Sequence, residues 1–254
     1  MRLTYAQIHA VRRLPESLIR LELLKLHTKK LPNLSDLVNL RELSLGFCEG
    51  GRTPKLVEDP MPWWIGRLRK LESLTLISKV VVTLSADIGL LSHLKTLELR
   101  CPNLRYLPRP PASLSSLSLQ NYMSVHAIDL SNLKKLSKLT MTLAAITEIQ
   151  GLDCLEYLQT LSLVFLGCLE VLPDLSNSKK LRKLHIEKCE CLVEIQGKMP
   201  ASLELLMMEK CESLEKLPDL SSLEGPEEIK IYACVKLNVE VIPGYAEKRE
   251  ETYQ

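Results

Sequence analysis

The stretch Leu181-Arg182-Lys183-Leu184-His185-Ile186-Glu187-Lys188-Cys189 places apolar side chains at its first, fourth and sixth positions and a thiol at its ninth. With Leu184 as a marker, the same Leu-x-x-Leu-x-Leu pattern, or a close variant, returns in both directions at Leu21, Leu43, Leu74, Leu97, Leu117, Leu139, Leu161, Leu206 and Ile229. The gaps between successive markers are 22, 31, 23, 20, 22, 22, 23, 22 and 23 residues. Around each marker apolar residues alternate with polar ones, as in Thr96-Leu97-Glu98-Leu99-Arg100, which predicts a short strand with one buried face. Strands recurring at this interval bury their apolar edges against one another and form a linear core.

The period and the pattern together predict an α/β solenoid: a curved leucine-rich-repeat stack with a parallel concave sheet of about ten short strands. Return segments are punctuated by Leu31-Pro32, Leu107-Pro108, Leu172-Pro173 and Leu217-Pro218, each 10 or 11 residues past its marker. Proline cannot continue a helix interior, so convex segments are expected to be mostly loops or single turns. The repeat domain is placed at residues 1–242, with about ten to eleven repeats, and a charged C-terminal tail at 243–254. The long gap between Leu43 and Leu74 holds about nine extra residues, which predicts an extruded loop near 49–62. Trp63-Trp64 follows at once. The pair is expected to plug the gap below the insertion, although alternation in an extended chain would put one indole in the core and the other in solvent. Met1 and Leu3 fall 20 residues before Leu21 and Leu23, as the strand of a repeat whose beginning is missing, so the chain is expected to be a piece of something longer.

Composition narrows the function. Leucine supplies 54 of 254 residues against eleven aromatics, which suits equivalent core sites in stacked repeats. The 33 basic and 31 acidic residues nearly cancel, which lowers the weight of a nucleic-acid partner without excluding a local basic patch. No apolar run is long enough to span a membrane. Cys48, Cys189, Cys211 and Cys234 each lie five residues after a marker, where a buried thiol meets backbone groups at the strand exit, while Cys101, Cys154, Cys168 and Cys191 share no common position. No Cys-x-x-Cys occurs, the five histidines have no ligand spacing, and phosphate-loop and nucleophile-elbow motifs are missing. The expectation is therefore no enzyme, with no catalytic, cofactor-binding or metal residues.

A second rhythm lies above the first. Asp129-Leu130-Ser131, Asp174-Leu175-Ser176 and Asp219-Leu220-Ser221 recur every 45 residues, and Ile149-Gln150-Gly151 and Ile195-Gln196-Gly197 interleave with them at 46. Duplication of a two-repeat unit would leave this trace, and the aspartates are expected to be turn residues.

Alternation puts the positions one before, one after and three after each marker on the outward face of the sheet. The middle repeats show small hydroxyls one after the marker: Thr75, Ser118, Thr140 and Ser162, broken by Glu98. The last three repeats differ, and His185, Glu187, Met207, Glu209, Lys230 and Tyr232 are the candidate protein-binding residues. Apolar anchors within a polar rim favour a protein contact.

The run Leu172-Pro173-Asp174-Leu175-Ser176, then Lys180 to Ile186, then Cys189, resembles the repeat of plant intracellular nucleotide-binding leucine-rich-repeat disease resistance receptors. It is most similar to those of the Toll/interleukin-1-receptor-type class, and Trp64-Ile65-Gly66-x-Leu68-x-x-Leu71 is similar to that family as well. The resemblance implies a non-enzymatic module that helps hold a receptor off and senses a pathogen effector directly or through a guarded host protein. Its partners would be those proteins or adjoining receptor domains, and its location the cytoplasm, or the nucleus. No nucleotide-binding residue and no individual effector contact carries over. The alternative is an intracellular scaffold that bridges signalling proteins.

Overall fold

The computed structural model describes residues 2–4, 14–26, 33–47, 63–79, 81, 83–123, 126–221, 223 and 227–237. The expected loop near 49–62, Cys48 and the C-terminal tail lie outside them.

Each marker segment is a strand. In chain order the strands are β1 (Arg2–Thr4), β2 (Arg20–Leu26), β3 (Glu42–Phe47), β4 (Ser73–Ile77), β5 (Thr96–Arg100), β6 (Ser116–Tyr122), β7 (Ala127–Asp129), β8 (Lys138–Ala144), β9 (Glu148–Gln150), β10 (Thr160–Val164), β11 (Val171–Leu172), β12 (Lys183–Glu187), β13 (Glu194–Ile195), β14 (Leu205–Glu209) and β15 (Glu228–Tyr232). Eleven of them form one parallel sheet in the order β1-β2-β3-β4-β5-β6-β8-β10-β12-β14-β15. The register keeps marker opposite marker from Leu21↔Leu43 through Leu161↔Leu184 to Leu206↔Ile229. A one-residue slip would turn every buried leucine to solvent, so the core itself fixes this register.

The core is a set of leucine columns. Two come from the strands, and a third from the leucine three residues before each marker from Leu21 to Leu206; Leu158, Leu161 and Leu163 are fully buried, as are Leu181, Leu184 and Ile186. Burying one such side chain is worth roughly 1.5–3 kcal/mol, and the cover comes from the repeats on either side. Where a loop column takes serine, the hydroxyl is satisfied: buried Ser178 donates to the Leu155 carbonyl at 3.2 Å.

Strand exits come in two forms. In seven repeats the residue four past the marker takes a left-handed backbone: Lys25, Asn121, Leu143, Phe165, Lys188, Lys210 and Ala233. This bend turns the fifth residue inward. Cys189 Sγ then donates to the Leu163 carbonyl at 3.7 Å, and Cys211 Sγ to the Ile186 carbonyl at 3.9 Å. In β5 the bend is missing and the fourth residue turns in, so Cys101 performs the same task on the Leu76 carbonyl at 3.8 Å. Cys101 therefore shares the strand-exit role after all, one position early. Burial pushes its thiol up to about 12. Cys211 is pushed up to about 11, first by its bond with Cys189. Tyr122 fills the inward position in β6 and lies opposite the small Ala144, so a large and a small side chain share one layer.

The return segments contain single 3-10 turns at Trp63–Arg67, Ala86–Leu90 and Leu152–Cys154, with two short parallel ladders, β7–β9 and β11–β13. Trp64 is buried at 2 % exposure, inside a 3-10 turn rather than an extended chain, so the alternation argument for the two tryptophans does not apply. The Trp63 side chain lies outside the described residues.

The 45-residue rhythm has a physical basis. Asp129, Asp174 and Asp219 each accept from the backbone N–H two residues on, at 2.8, 2.9 and 2.8 Å, and Asn33 does the same for Ser35 at 3.0 Å. These are Asx turns. Against each of two such turns lies a glycine of the following repeat. Gly151 (φ 73°) abuts the Ser131 backbone, and Gly197 (φ 76°) abuts the Asp174 side chain. Asp174 also accepts from the Lys198 N–H at 3.2 Å. In these two cases an aspartate turn in one repeat is matched to a glycine in the next, which ties the 45-residue rhythm to the one at 46.

Candidate functional site

The six candidate residues occupy three adjacent strands of the large sheet. Register pairs His185 with Met207 and Met207 with Lys230, and one step further along, Glu187 with Glu209 and Glu209 with Tyr232. They form a grid of two rows, with neighbours about 4.8 Å apart at the backbone. The burial pattern places all six on the outward face: His185, Glu187, Met207 and Glu209 are half-buried, Lys230 is exposed, and Tyr232 is 48 % exposed.

The second row sets two carboxylates side by side, which is unfavourable for paired strands without counter-charge. Lysines at the left-handed exit positions supply it. Lys210 Nζ is 2.6 Å from Glu209, and Lys188 Nζ is 3.9 Å from Glu187. Lys210 holds the Glu209 carboxyl below its usual range, helped by a bond from the Tyr232 hydroxyl, and that same bond holds the Tyr232 phenol above its usual value. His185 reaches Glu187 at 3.6 Å and Ser162 Oγ at 3.5 Å. In the first row Lys230 turns to Glu228 at 2.6 Å. The charges are thus engaged with one another and form a polar frame. Met207 and half-buried Leu205 stand inside it as apolar surface.

Four contributors were missed from the sequence. Lys188 and Lys210 frame the grid, and the same exit column carries Leu143 and Phe165, exposed by 41 % and 39 %, with Lys188 Nζ 4.4 Å from the Phe165 ring centroid. A period-two reading stops at the strand end and does not assign these side chains to a face. Their common spacing, four past the marker, was the available signal.

The arrangement offers an extended contact surface. Among the described residues no group of three His, Cys, Asp or Glu is placed to hold a metal ion, and no helix is long and apolar enough to cross a membrane. A hollow of about 320 Å³ lies away from the grid, lined by Leu107, Arg109, Pro110, Ala127, Ile128 and Asp129 of the return segments.

No family description matches the sequence, and no curated protein matches it. Solved structures similar to it include the leucine-rich-repeat protein LIC12759 of Leptospira interrogans, at 20% identity over 87% of this chain and 83% of that one, with a TM-score of 0.48. The internalin InlF of Listeria monocytogenes matches at 16% identity, over 88% and 86% of the two chains, with a TM-score of 0.47. The ectodomain of the receptor kinase GASSHO1/SCHENGEN3 of Arabidopsis thaliana matches at 21% identity, over 86% of this chain and 29% of that one, with a TM-score of 0.40.

Proposed function

We propose that this leucine-rich-repeat stack is the recognition and regulatory module of a plant disease resistance receptor, working in the cytoplasm or nucleus. The repeat resemblance described above supports the receptor class. The grid supports the contact, and it is the single observation that carries the mechanism: apolar Met207 and Leu205 framed by charges already neutralised within the chain. Because the charges are pre-paired, a protein partner covering the apolar centre would not strand an isolated ion, which is the costly outcome in a buried interface. The partner is a pathogen effector, a guarded host protein or an adjoining receptor domain, and in the last case the contact holds the receptor off.

Met207→Glu with Tyr232→Ala places a charge in the apolar centre and removes the aromatic edge, while the leucine columns beneath are untouched. Co-precipitation from challenged plant tissue, run beside circular dichroism, tests the proposal. The expected result is a partner retained by the native chain and lost by a folded variant. An unchanged partner set on a folded variant overturns the assignment of this face.

A further inference from the structure

A second contact surface lies on the flank where the chain enters the strands. Lys134, Lys135 and Lys138 precede and open β8; Lys179, Lys180 and Lys183 do the same at β12. The two triplets have one spacing, Lys-Lys-x-x-Lys, and occupy the same repeat position. Register sets Lys138 opposite Thr160 and Thr160 opposite Lys183, so the triplets stand two strands apart, roughly 10 Å at the backbone. Between them the intervening repeat presents Tyr157, half exposed, with Lys180 Nζ 4.2 Å from its ring centroid.

All six lysines are exposed, and what they lack is acid. Elsewhere on this flank cations are paired across repeats: Arg41 and Lys95 both bind Glu72, at 2.9 and 2.8 Å, and Arg182 binds Glu204 at 2.6 Å. Among the described residues, Lys134, Lys135, Lys138, Lys179 and Lys183 have no ion pair or side-chain hydrogen bond, and Lys180 has only the tyrosine ring. Glu156 lies in the matching stretch of the intervening repeat and is bonded to none of them. Glu156 offsets only one of the six charges, so the flank keeps an excess of positive charge that an acidic group from outside the chain would relieve.

We infer that this flank docks a short acidic segment of a partner protein. An extended chain rises about 3.3 Å per residue, so carboxylates three residues apart span the roughly 10 Å between the triplets. Tyr157 provides apolar area at the centre, with one side already covered by Lys180. Two features disfavour a long polyanion. The net charge of the chain is only +2, and exposed Glu190 and Glu212, past the exits of β12 and β14, are paired with no cation among the described residues and would repel nucleic acid or an anionic membrane running across the molecule.

The test uses a fluorescent oligoglutamate peptide in anisotropy titrations, with a single-stranded oligonucleotide of matched charge and phosphatidylserine-containing vesicles as parallel probes. Replacing either triplet by glutamine is expected to weaken peptide binding by about tenfold or more, and raising salt from about 50 to about 500 mM to weaken it further. A control triple of Lys198, Lys216 and Lys236, each within 4.0 Å of a carboxylate, is expected to stay within about twofold. Absence of saturable binding, an equal loss in the control, or tighter lysine-dependent binding of the oligonucleotide or vesicles overturns the proposal. The Met207 and Tyr232 variant is expected to bind the peptide as the native chain does, which separates this surface from the sheet grid.

Discussion

Gly197→Ala probes the interlock between successive repeats. At φ 76° a side chain is strained wherever it points, by roughly 1–2 kcal/mol for a non-glycine residue. The new Cβ would also lie 2.7 Å from the Asp174 Cβ and closer still to its carboxylate, so the aspartate must move. Moving it endangers three bonds: from the Ser176 N–H at 2.9 Å, the Ser176 hydroxyl at 2.8 Å and the Lys198 N–H at 3.2 Å. Each is worth about 1 kcal/mol, so strain and partial loss of the turn together should cost about 2–4 kcal/mol. Urea unfolding should show a lower midpoint with an unchanged slope. Gly167 provides the control. It has no atom within 4 Å of an added Cβ and no positive φ, so Gly167→Ala should stay within about 0.5 kcal/mol. Asp174→Ala removes the obstruction, and the double variant should lose less than the two single losses combined. Equal midpoints for Gly197→Ala and Gly167→Ala, or strict additivity in the cycle, would refute the interlock.

Leu161 is fully buried mid-stack between Leu139 and Leu184, so Leu161→Ala should cost about 2–5 kcal/mol in the same assay. The Tyr122 hydroxyl is buried without a hydrogen-bond partner, so Tyr122→Phe should leave the chain equally stable or raise it by about 1 kcal/mol; a loss would mean that a buried partner satisfies the hydroxyl. Acid should unfold the stack through its turns. Ser131 holds Asp129 below the usual carboxylate range, and Ser221 does so for Asp219; burial pushes Asp174 up, but the Ser176 and Lys198 bonds outweigh it. Depressed folded values mean that the contribution is complete above the ordinary carboxylate range and disappears as pH falls through the folded values. Asp174→Asn, which preserves an Asx turn as Asn33 does, should flatten that part of the pH profile, and an unchanged profile would remove Asp174 from the account.

The parts legible in the sequence were those that obey one period throughout. Leucine spacing pointed to a parallel sheet of about ten short strands and to its outward positions, because every repeat solves the same burial problem with similar apolar side chains. The strand exits escaped this logic. Whether the fourth or the fifth residue turns inward depends on a left-handed bend that leucine, phenylalanine, lysine and alanine all adopt here, although none favours it locally. Local preference would have placed glycine or asparagine there, and only Asn121 complies. Stacking overrides it: the bend brings the fifth residue inward against the neighbouring repeat, and β5, which lacks the bend, reaches that contact with its fourth residue. The same override explains why Cys101 looked unrelated to Cys189 while doing identical work. It also explains the candidate site: Lys188 and Lys210 neutralise Glu187 and Glu209 from positions that alternation assigns to no face, so the frame around Met207 becomes visible only when the bend is known. Chemistry at a repeat's edge is set by how the repeat turns, and that turn is decided by the stack rather than by the residues that make it.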